Sequence, residues 1–494
     1  KAQESIDQSG TERHPHGHPS MQKQRRMPAL LRWLCALTAL AQGQALRSWT
    51  GLRGEPSSDR RNGTLSYSTS FDASLDTKRR ALLISGLGPN SRYGCGVREF
   101  ALMLDLQECG YQVDIVTEEG GSKSEEAARA PVHERLGWSS RTAVQAFSNV
   151  TWFNMTDNVD LESYTDIFFF GWYWEFQKKG GEKGLESAMI PKLENFRSRT
   201  ALMLDDVPDV RCEEETGWRR SVAYCRSLVP KAVSRWAAVT SRVFVLTETD
   251  AELIADMFKR HGISDPGPVR VWPLRLRHLE KLQREEKMAK DHAPSKLLLE
   301  RRVYLTMVAN DHAANREFAE RLFSSHAPER WCNKSITLMF VGTIGEHVKS
   351  LTRYNPTLPS NCVLTAGVQS RAILAKRILP RTLAILNPFW RDLRSGVSVK
   401  SYEALAAGVP LVTSIHGLRG LESCGAPKLA LGLKEADDAE QYVDFVDRLL
   451  LRSDNYGLLT AEVLRLRSSC IAQQEALLSP HGCEILRGEG GTEA

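Results

Sequence analysis

An α/β fold of two doubly wound domains is predicted by three features of this sequence. Short apolar runs of strand length alternate with helical stretches. The alternation stops and restarts once, near residue 303. The first strand runs into a glycine-rich loop that opens a helix. The 494 residues leave room for two or three domains of roughly 100–200 residues each.

Taken in order, Ala81–Gly86 reads as a buried strand, and a Gly/Pro/Asn loop follows it. A helix then runs from about Val97 to Cys109, and a second strand spans Gln112–Thr117. Strand, loop, helix and strand make one βαβ unit of a parallel sheet. Further strands are expected at Asp166–Gly171, Thr200–Leu204 and Arg242–Leu246, and Val269–Pro273 closes this half. From Arg277 to Arg302 the chain is charge-dense with helical period, which predicts a surface connector. The second array places strands at Val303–Met307, Thr337–Val341, Val363–Ala366, Ala384–Asn387 and Leu411–Ser414. Sheets of this kind bind ligands at the carboxyl ends of their strands, here the cleft between domains.

The net charge of +5 divides unevenly. Residues 1–80 hold 13 Lys+Arg and 7 Asp+Glu (+6), and the remaining 414 hold 52 and 53 (−1). A neutral body argues against a nucleic-acid partner. An integral membrane span is not expected, because no run of ~20 apolar residues occurs.

Met21 or Met27 is the candidate start. Basic Lys23, Arg25 and Arg26, apolar 29–41 and small Ala41, Gly43 and Ala45 follow the layout of a signal peptide over 21–45. Arg32 counts against it, and an Arg-rich transit peptide or a wrongly translated exon are the rival readings. Four N-x-[ST] triplets (Asn62, Asn149, Asn154, Asn333) agree with a secretory route. Nine cysteines follow the signal region with no C-x-x-C pair or zinc spacing, which fits one or two disulfides, or none. The expected compartment is the secretory pathway, with an organelle or the cytoplasm as alternatives.

The loop from Gly86 to Gly96, with Gly94 and Gly96 at its end, lets backbone approach an anion at a helix N-terminus. It lacks the G-x-G-x-x-G spacing of dinucleotide sites, and any βα turn uses glycine. The run from Asn387 to Thr413 is richer. A helix is expected to start near Ser395–Ser398 and stop at Gly408, with Pro410 and a strand after it. Lys400 and Glu403 are three apart, so they share one face near its N-terminus. That pairing suits a nucleotide: Lys400 and helix N–H groups for a diphosphate, Glu403 for ribose hydroxyls. Spacing alone favours the plainer reading, a surface salt bridge on an amphipathic helix.

Gly396-Val-Ser-Val-Lys400-Ser-Tyr-Glu403-Ala-Leu-Ala-Ala-Gly408-Val-Pro410-Leu-Val-Thr413, followed by Gly417-Leu-Arg-Gly-Leu421, resembles the donor-site signature of group 1, family-four-type GT-B glycosyltransferases. Asp311-His312-Ala-Ala-Asn315 is similar to that family's H-x-P-N loop, with Ala314 in place of proline. Asp206-Val-Pro-Asp-Val-Arg211 is similar to its D-x-H-x-x-R element, with Pro208 where histidine is usual, and Ser91–Val97 matches its glycine loop. The likeness covers residues 80–450 in order, with 387–421 its diagnostic part. The first glutamate of the family's E-x7-E falls on Ser395, which leaves the donor sugar open.

The resemblance implies two Rossmann-like domains in GT-B arrangement: an acceptor domain over 78–276 and a donor domain over 303–483. A targeting segment and linker (1–77), the connector (277–302) and a disordered tail (484–494) complete the division. It implies sugar transfer from a UDP- or GDP-sugar to a hydroxyl of a glycan, protein or small molecule, with retention. No metal and no cofactor beyond the nucleotide-sugar co-substrate are expected, and no D-x-D element occurs. His312 and Asp206 are the implied catalytic residues. Gly94, Gly96, Asn315, Arg394, Gly396, Ser398, Lys400 and Glu403 are implied on the donor. A lone loop histidine such as His312 is more often structural than catalytic, Asp205 and Asp206 also read as caps or turns after a strand, and Trp172–Trp174 read first as core packing and second as a platform for an acceptor sugar. The alternative function is a catalytically inactive GT-B domain that binds nucleotide or glycan. A sugar epimerase or phosphorylase of the same fold is the other open class, and nothing in the sequence points to the phosphate or pyridoxal cofactor that a phosphorylase needs.

Overall fold

In a computed structural model of the chain, the described residues are 79–86, 94–117, 140–171, 185–214, 222–288, 303–311, 313–353, 358–359, 361–369, 371–387, 396–421, 424–425, 439–450, 453–478 and 481–488. The expected signal peptide, Asn62 and Trp172–Trp174 lie outside them. Everything described belongs to one compact unit from Leu75 onward.

Two parallel sheets organise it. The first holds β1 (Arg80–Ser85), β2 (Gln112–Thr117), β3 (Thr151–Asn154), β4 (Asp166–Phe170), β5 (Thr200–Met203), β6 (Arg242–Val245) and β7 (Val269–Val271). Their order is β3-β2-β1-β4-β5-β6-β7, and every pairing is parallel. The second holds β8 (Val303–Val308), β9 (Ile336–Val341), β10 (Val363–Ala366), β11 (Thr382–Asn387) and β12 (Leu411–Thr413), in the order β10-β9-β8-β11-β12. These pairings are parallel too, so each sheet gathers its carboxyl ends along one edge. Strands covered on both faces read as unbroken apolar runs, as β4 (Asp-Ile-Phe-Phe-Phe) does. β3 is the strand that the apolar runs do not announce. It is an edge strand of four residues with none fully buried.

The connector differs from expectation. Its helix, Leu276–Met288, buries Leu276, His278, Leu279, Leu282 and Glu286 and packs on the Val399–Ala407 helix. The apolar stripe lies among charges, which conceal it in a composition count. A single apolar core therefore runs from Phe100 and Phe168 through Leu279 and Leu282 to Leu305 and Tyr402. At the other end of this helix, Glu286 accepts from the Ser140 amide at 2.6 Å and Glu285 from the Thr142 amide at 2.7 Å. Two carboxylates thus meet the N-terminus of the Arg141–Ser148 helix, where its dipole favours them.

The C-terminal end also differs. Instead of a disordered tail from 484, a helix spans Gly482–Arg487 with Leu486 buried. It crosses back to the first half, where Arg242 donates to the Leu486 carbonyl at 2.9 Å and Cys483 is bonded to Cys109. Residues 489–494 lie outside the described set. Three further disulfides, Cys212–Cys225, Cys332–Cys362 and Cys424–Cys470, bring eight cysteines into pairs, against the expectation of two disulfides at most. Spacing does not reveal a partner 374 residues away. Among the described residues, no helix is long and apolar enough to cross a membrane.

Candidate active site

The run from Asn387 to Leu421 is built as one piece around the carboxyl edge of the second sheet. β11 ends at Asn387, whose buried amide donates to Ser398 Oγ at 2.7 Å and Ser401 Oγ at 2.9 Å. Thr413 Oγ1 on β12 donates to the Asn387 carbonyl. Ser401 Oγ donates in turn to the Gly417 carbonyl at 2.5 Å, and Tyr402 OH to the Gly420 carbonyl at 2.8 Å. Gly420 has φ +80°, and a Cβ there would stand 2.7 Å from Tyr402 OH and from Val397, so the turn requires glycine. The helix opens after Ser398 and closes on Gly408 at φ +68°, as the residue pattern predicts.

Lys400, on the first turn, donates to Asn315 Oδ1 at 2.9 Å. The amide of Asn315 is fixed from its other side, donating to Asn310 O at 2.9 Å and Asn310 Oδ1 at 2.8 Å. Two implied donor residues from different elements therefore meet. Burial pushes the Lys400 ammonium down to about 8. Glu403, one turn on, is paired with Arg371, a partner the sequence reading missed. Desolvation lowers the Arg371 guanidinium to about 10. These two cations and one carboxylate share a cavity of about 10 Å³ with Gln283 and Val308, the room of a single water.

The first half reaches this site through four residues. Gly396, at φ +72°, is so close to the β5 loop that a Cβ would fall 1.9 Å from Asp206 Oδ1 and 3.0 Å from Asp205 O. Its amide donates to Asp250 Oδ1 at 3.0 Å. Arg98 bridges the halves, donating to the Val397 carbonyl at 2.8 Å and pairing with Asp205 at 3.3 Å. Burial drives the Asp205 carboxyl up to about 6, which Arg98 opposes and Asp206 and Asp250 reinforce. Asp250 is raised as well, first by burial, with the Gly396 amide pulling the other way. Asp206 is half-buried at the end of β5.

The expected residues Gly396, Ser398, Lys400, Glu403, Asn315 and Asp206 are thus held around one helix N-terminus. Gly94 opens the Gly94–Glu108 helix and Gly96 is buried within it. His312 and Arg394 lie outside the described residues, as does Ser395. Arg98, Asp250 and Arg371 went unnoticed. A Thr247-x-x-Asp250 capping pattern, with Thr247 Oγ1 accepting from the Asp250 amide at 3.0 Å, was the available signal for Asp250.

One other cluster has metal-ligand character among the described residues: Asp105, Glu108 and His278. Arg275 fills it, 2.8 Å from Asp105 and 3.3 Å from Glu108, and Arg277 pairs with Glu108, so cations already satisfy these carboxylates. A larger hollow of 430 Å³ is lined by Thr382, Gly408 and Pro410, at the strands' amino ends and away from Lys400.

No protein-family profile matches the chain, and no curated protein sequence matches it. Solved structures do. An α,α-trehalose-phosphate synthase (UDP-forming) from Burkholderia vietnamiensis superposes with a TM-score of 0.52 at 11% identity, covering 84% of this chain and 100% of that one. The trehalose-6-phosphate synthase OtsA gives 0.51 at 13%, covering 81% and 98%. An α-glucosyltransferase solved with UDP and a 13-mer DNA gives 0.51 at 11%, covering 82% and 99%. At such identities the likeness establishes architecture: two Rossmann-like domains in GT-B arrangement.

Proposed function

We propose that this chain is a glycosyltransferase that moves a sugar from a UDP- or GDP-sugar to an acceptor hydroxyl, with retention and without a metal. The observation that carries the reading is the Lys400–Asn315 contact at the N-terminus of the Val399–Ala407 helix, with Glu403 one turn away and Asp206 facing Gly396. The neighbouring structures support it: one is described as a UDP-forming trehalose-phosphate synthase and another as an α-glucosyltransferase in complex with UDP.

In this reading the diphosphate lies against the helix N-terminus, where the dipole and Lys400 favour negative charge. Glu403 offers its second oxygen to ribose hydroxyls while Arg371 holds the first. The anomeric C–O bond to the diphosphate breaks, and the acceptor oxygen bonds to the same carbon. The acceptor proton passes to the departing diphosphate oxygen. Lys400 and the helix dipole stabilise the charge gathering on that leaving group, the task a metal performs in other designs. Asp206, and with it His312, orients the acceptor hydroxyl. The neutral body favours a glycan, protein or small-molecule acceptor over nucleic acid.

The compartment in this reading is the secretory lumen. Four disulfides persist only where the surroundings are oxidising, which favours it over the cytoplasm.

The test is nucleotide release from a panel of UDP- and GDP-sugars, with and without EDTA, by the full chain and by Glu403→Ala. Release from one donor, unaffected by EDTA and lost in the variant, is the expected result. The engagement of Glu403 by Arg371, together with Ser395, favours a second reading: an inactive domain that binds nucleotide. Thermal stabilisation by UDP or GDP without turnover decides for it. If neither nucleotide binds, both readings fall.

A further inference from the structure

We infer that the chain carries N-linked glycans on Asn149 and Asn333, and none on Asn154. The inference rests on the secretory reading above, and topology selects between the sites.

Asn149 is exposed where the Arg141–Ser148 helix ends, and Thr151, the hydroxyl residue of its triplet, is exposed at the start of β3. Asn333 is exposed at the end of the Ala327–Asn333 helix, and Ser335 beyond it is exposed with φ +61°. Neither asparagine side chain makes a hydrogen bond among the described residues. Both lie just before strands, β3 and β9, and so at the amino-terminal edges of their sheets. The proposed donor site occupies the opposite, carboxyl edge. A bulky hydrophilic glycan at either position leaves that site open. At Asn149 it also stands beside β3, the edge strand of the first sheet, where a bulky hydrophilic group hinders pairing with another chain.

Asn154 differs on each count. It is half-buried, and it ends β3 on the ligand edge. Its Oδ1 accepts from both the Thr156 amide and Thr156 Oγ1 at 3.1 Å, so the triplet is closed on itself. Its backbone amide is held by Asp157 Oδ2 at 2.6 Å. It also lies only five residues from Asn149.

The modification joins asparagine Nδ2 to the anomeric carbon of an oligosaccharide donated from a lipid diphosphate. The N–C bond forms, the sugar–phosphate bond breaks, the lipid diphosphate departs and Nδ2 loses one proton.

The full chain is expressed in animal cells, and peptides are mapped after glycosidase treatment in heavy-oxygen water, which tags each occupied asparagine. Tags at 149 and 333 with none at 154 are expected. Asn149→Gln and Asn333→Gln should each remove the mass of one glycan, and Thr151→Ala and Ser335→Ala should do the same with the asparagines intact. A tag at Asn154, or bare Asn149 and Asn333 on chain that has entered the lumen, overturns the inference. A parallel sample behind a foreign signal peptide separates the two claims. Occupied sites only with that leader sink the secretory reading and keep the site assignment; bare sites even with it sink the assignment.

Discussion

The backbone amide of Gly396 donates to Asp250 Oδ1 at 3.0 Å, so the loop that leads into the Val399–Ala407 helix is fastened by a residue from the other half. Gly396 sits at φ +72° with no room for a Cβ beside Asp206. Left-handed backbone costs a non-glycine residue roughly 1–2 kcal/mol, and the contact with Asp206 adds to that. Gly396→Ala should lower the melting temperature and suppress nucleotide release. Gly396→Ala with Asp206→Gly should recover part of the stability and none of the activity. Equal melting temperatures for the single and double variants would show that the contact is unimportant.

Nucleotide affinity should depend on the charge of Lys400. Its folded value of about 8 means that the ammonium begins to empty just above neutrality. UDP or GDP affinity should fall as pH rises from 7 to 9. Lys400→Arg, which stays charged, should remove that slope. Lys400→Ala should weaken binding roughly 10–100-fold at pH 7, the worth of a charge-assisted hydrogen bond. The same depression has a stability consequence. The unfolded chain binds more protons between about 8 and 10.5, so stability from this group rises with pH through that window. Titration calorimetry and denaturant melts across pH check both signs.

Breaking the Arg371–Glu403 pair from one side should be costly, because the partner keeps a half-buried charge. Arg371→Met or Glu403→Met alone should each lose about 1–3 kcal/mol in denaturant unfolding. The double variant should regain most of that loss and still bind no nucleotide. Additive losses in the double would mean the pair is not coupled.

Asp205 should leave a signature at mildly acid pH. Its folded value of about 6 lies above the ordinary 3.8, so its contribution is fully present below about 3.8 and disappears as pH rises through about 6. Asp205→Asn should flatten that loss, gaining on the wild type in melting temperature as pH goes from 4 to 7. Arg98 keeps its bond to the Val397 carbonyl in that variant, so the halves stay joined.

Much of the fold was readable because parallel strands covered on both faces are short unbroken apolar runs, as in β1, β4 and β9. β3 escaped because a half-buried edge strand reading Thr-Trp-Phe-Asn carries no such run. The Leu276–Met288 helix was misplaced on the surface because charge density outweighed three leucines at helical spacing. Within the site, Lys400, Glu403 and Gly396 were found through local spacing on one helix. Arg371, Arg98 and Asp250 come from distant segments and act through contacts only the folded chain creates. The cysteine pairs were illegible for the same reason.

The bond from Cys109 to Cys483 also sets an order of events during synthesis. The first sheet can assemble while the chain is still emerging, yet its Cys109 must wait as a free thiol until 374 more residues have followed. Meanwhile Cys212 and Cys225, 13 residues apart, are the partners nearest each other in the chain. A ribosome that stops between residues 271 and 483 releases a chain that holds every strand of the first sheet but lacks the partner of Cys109.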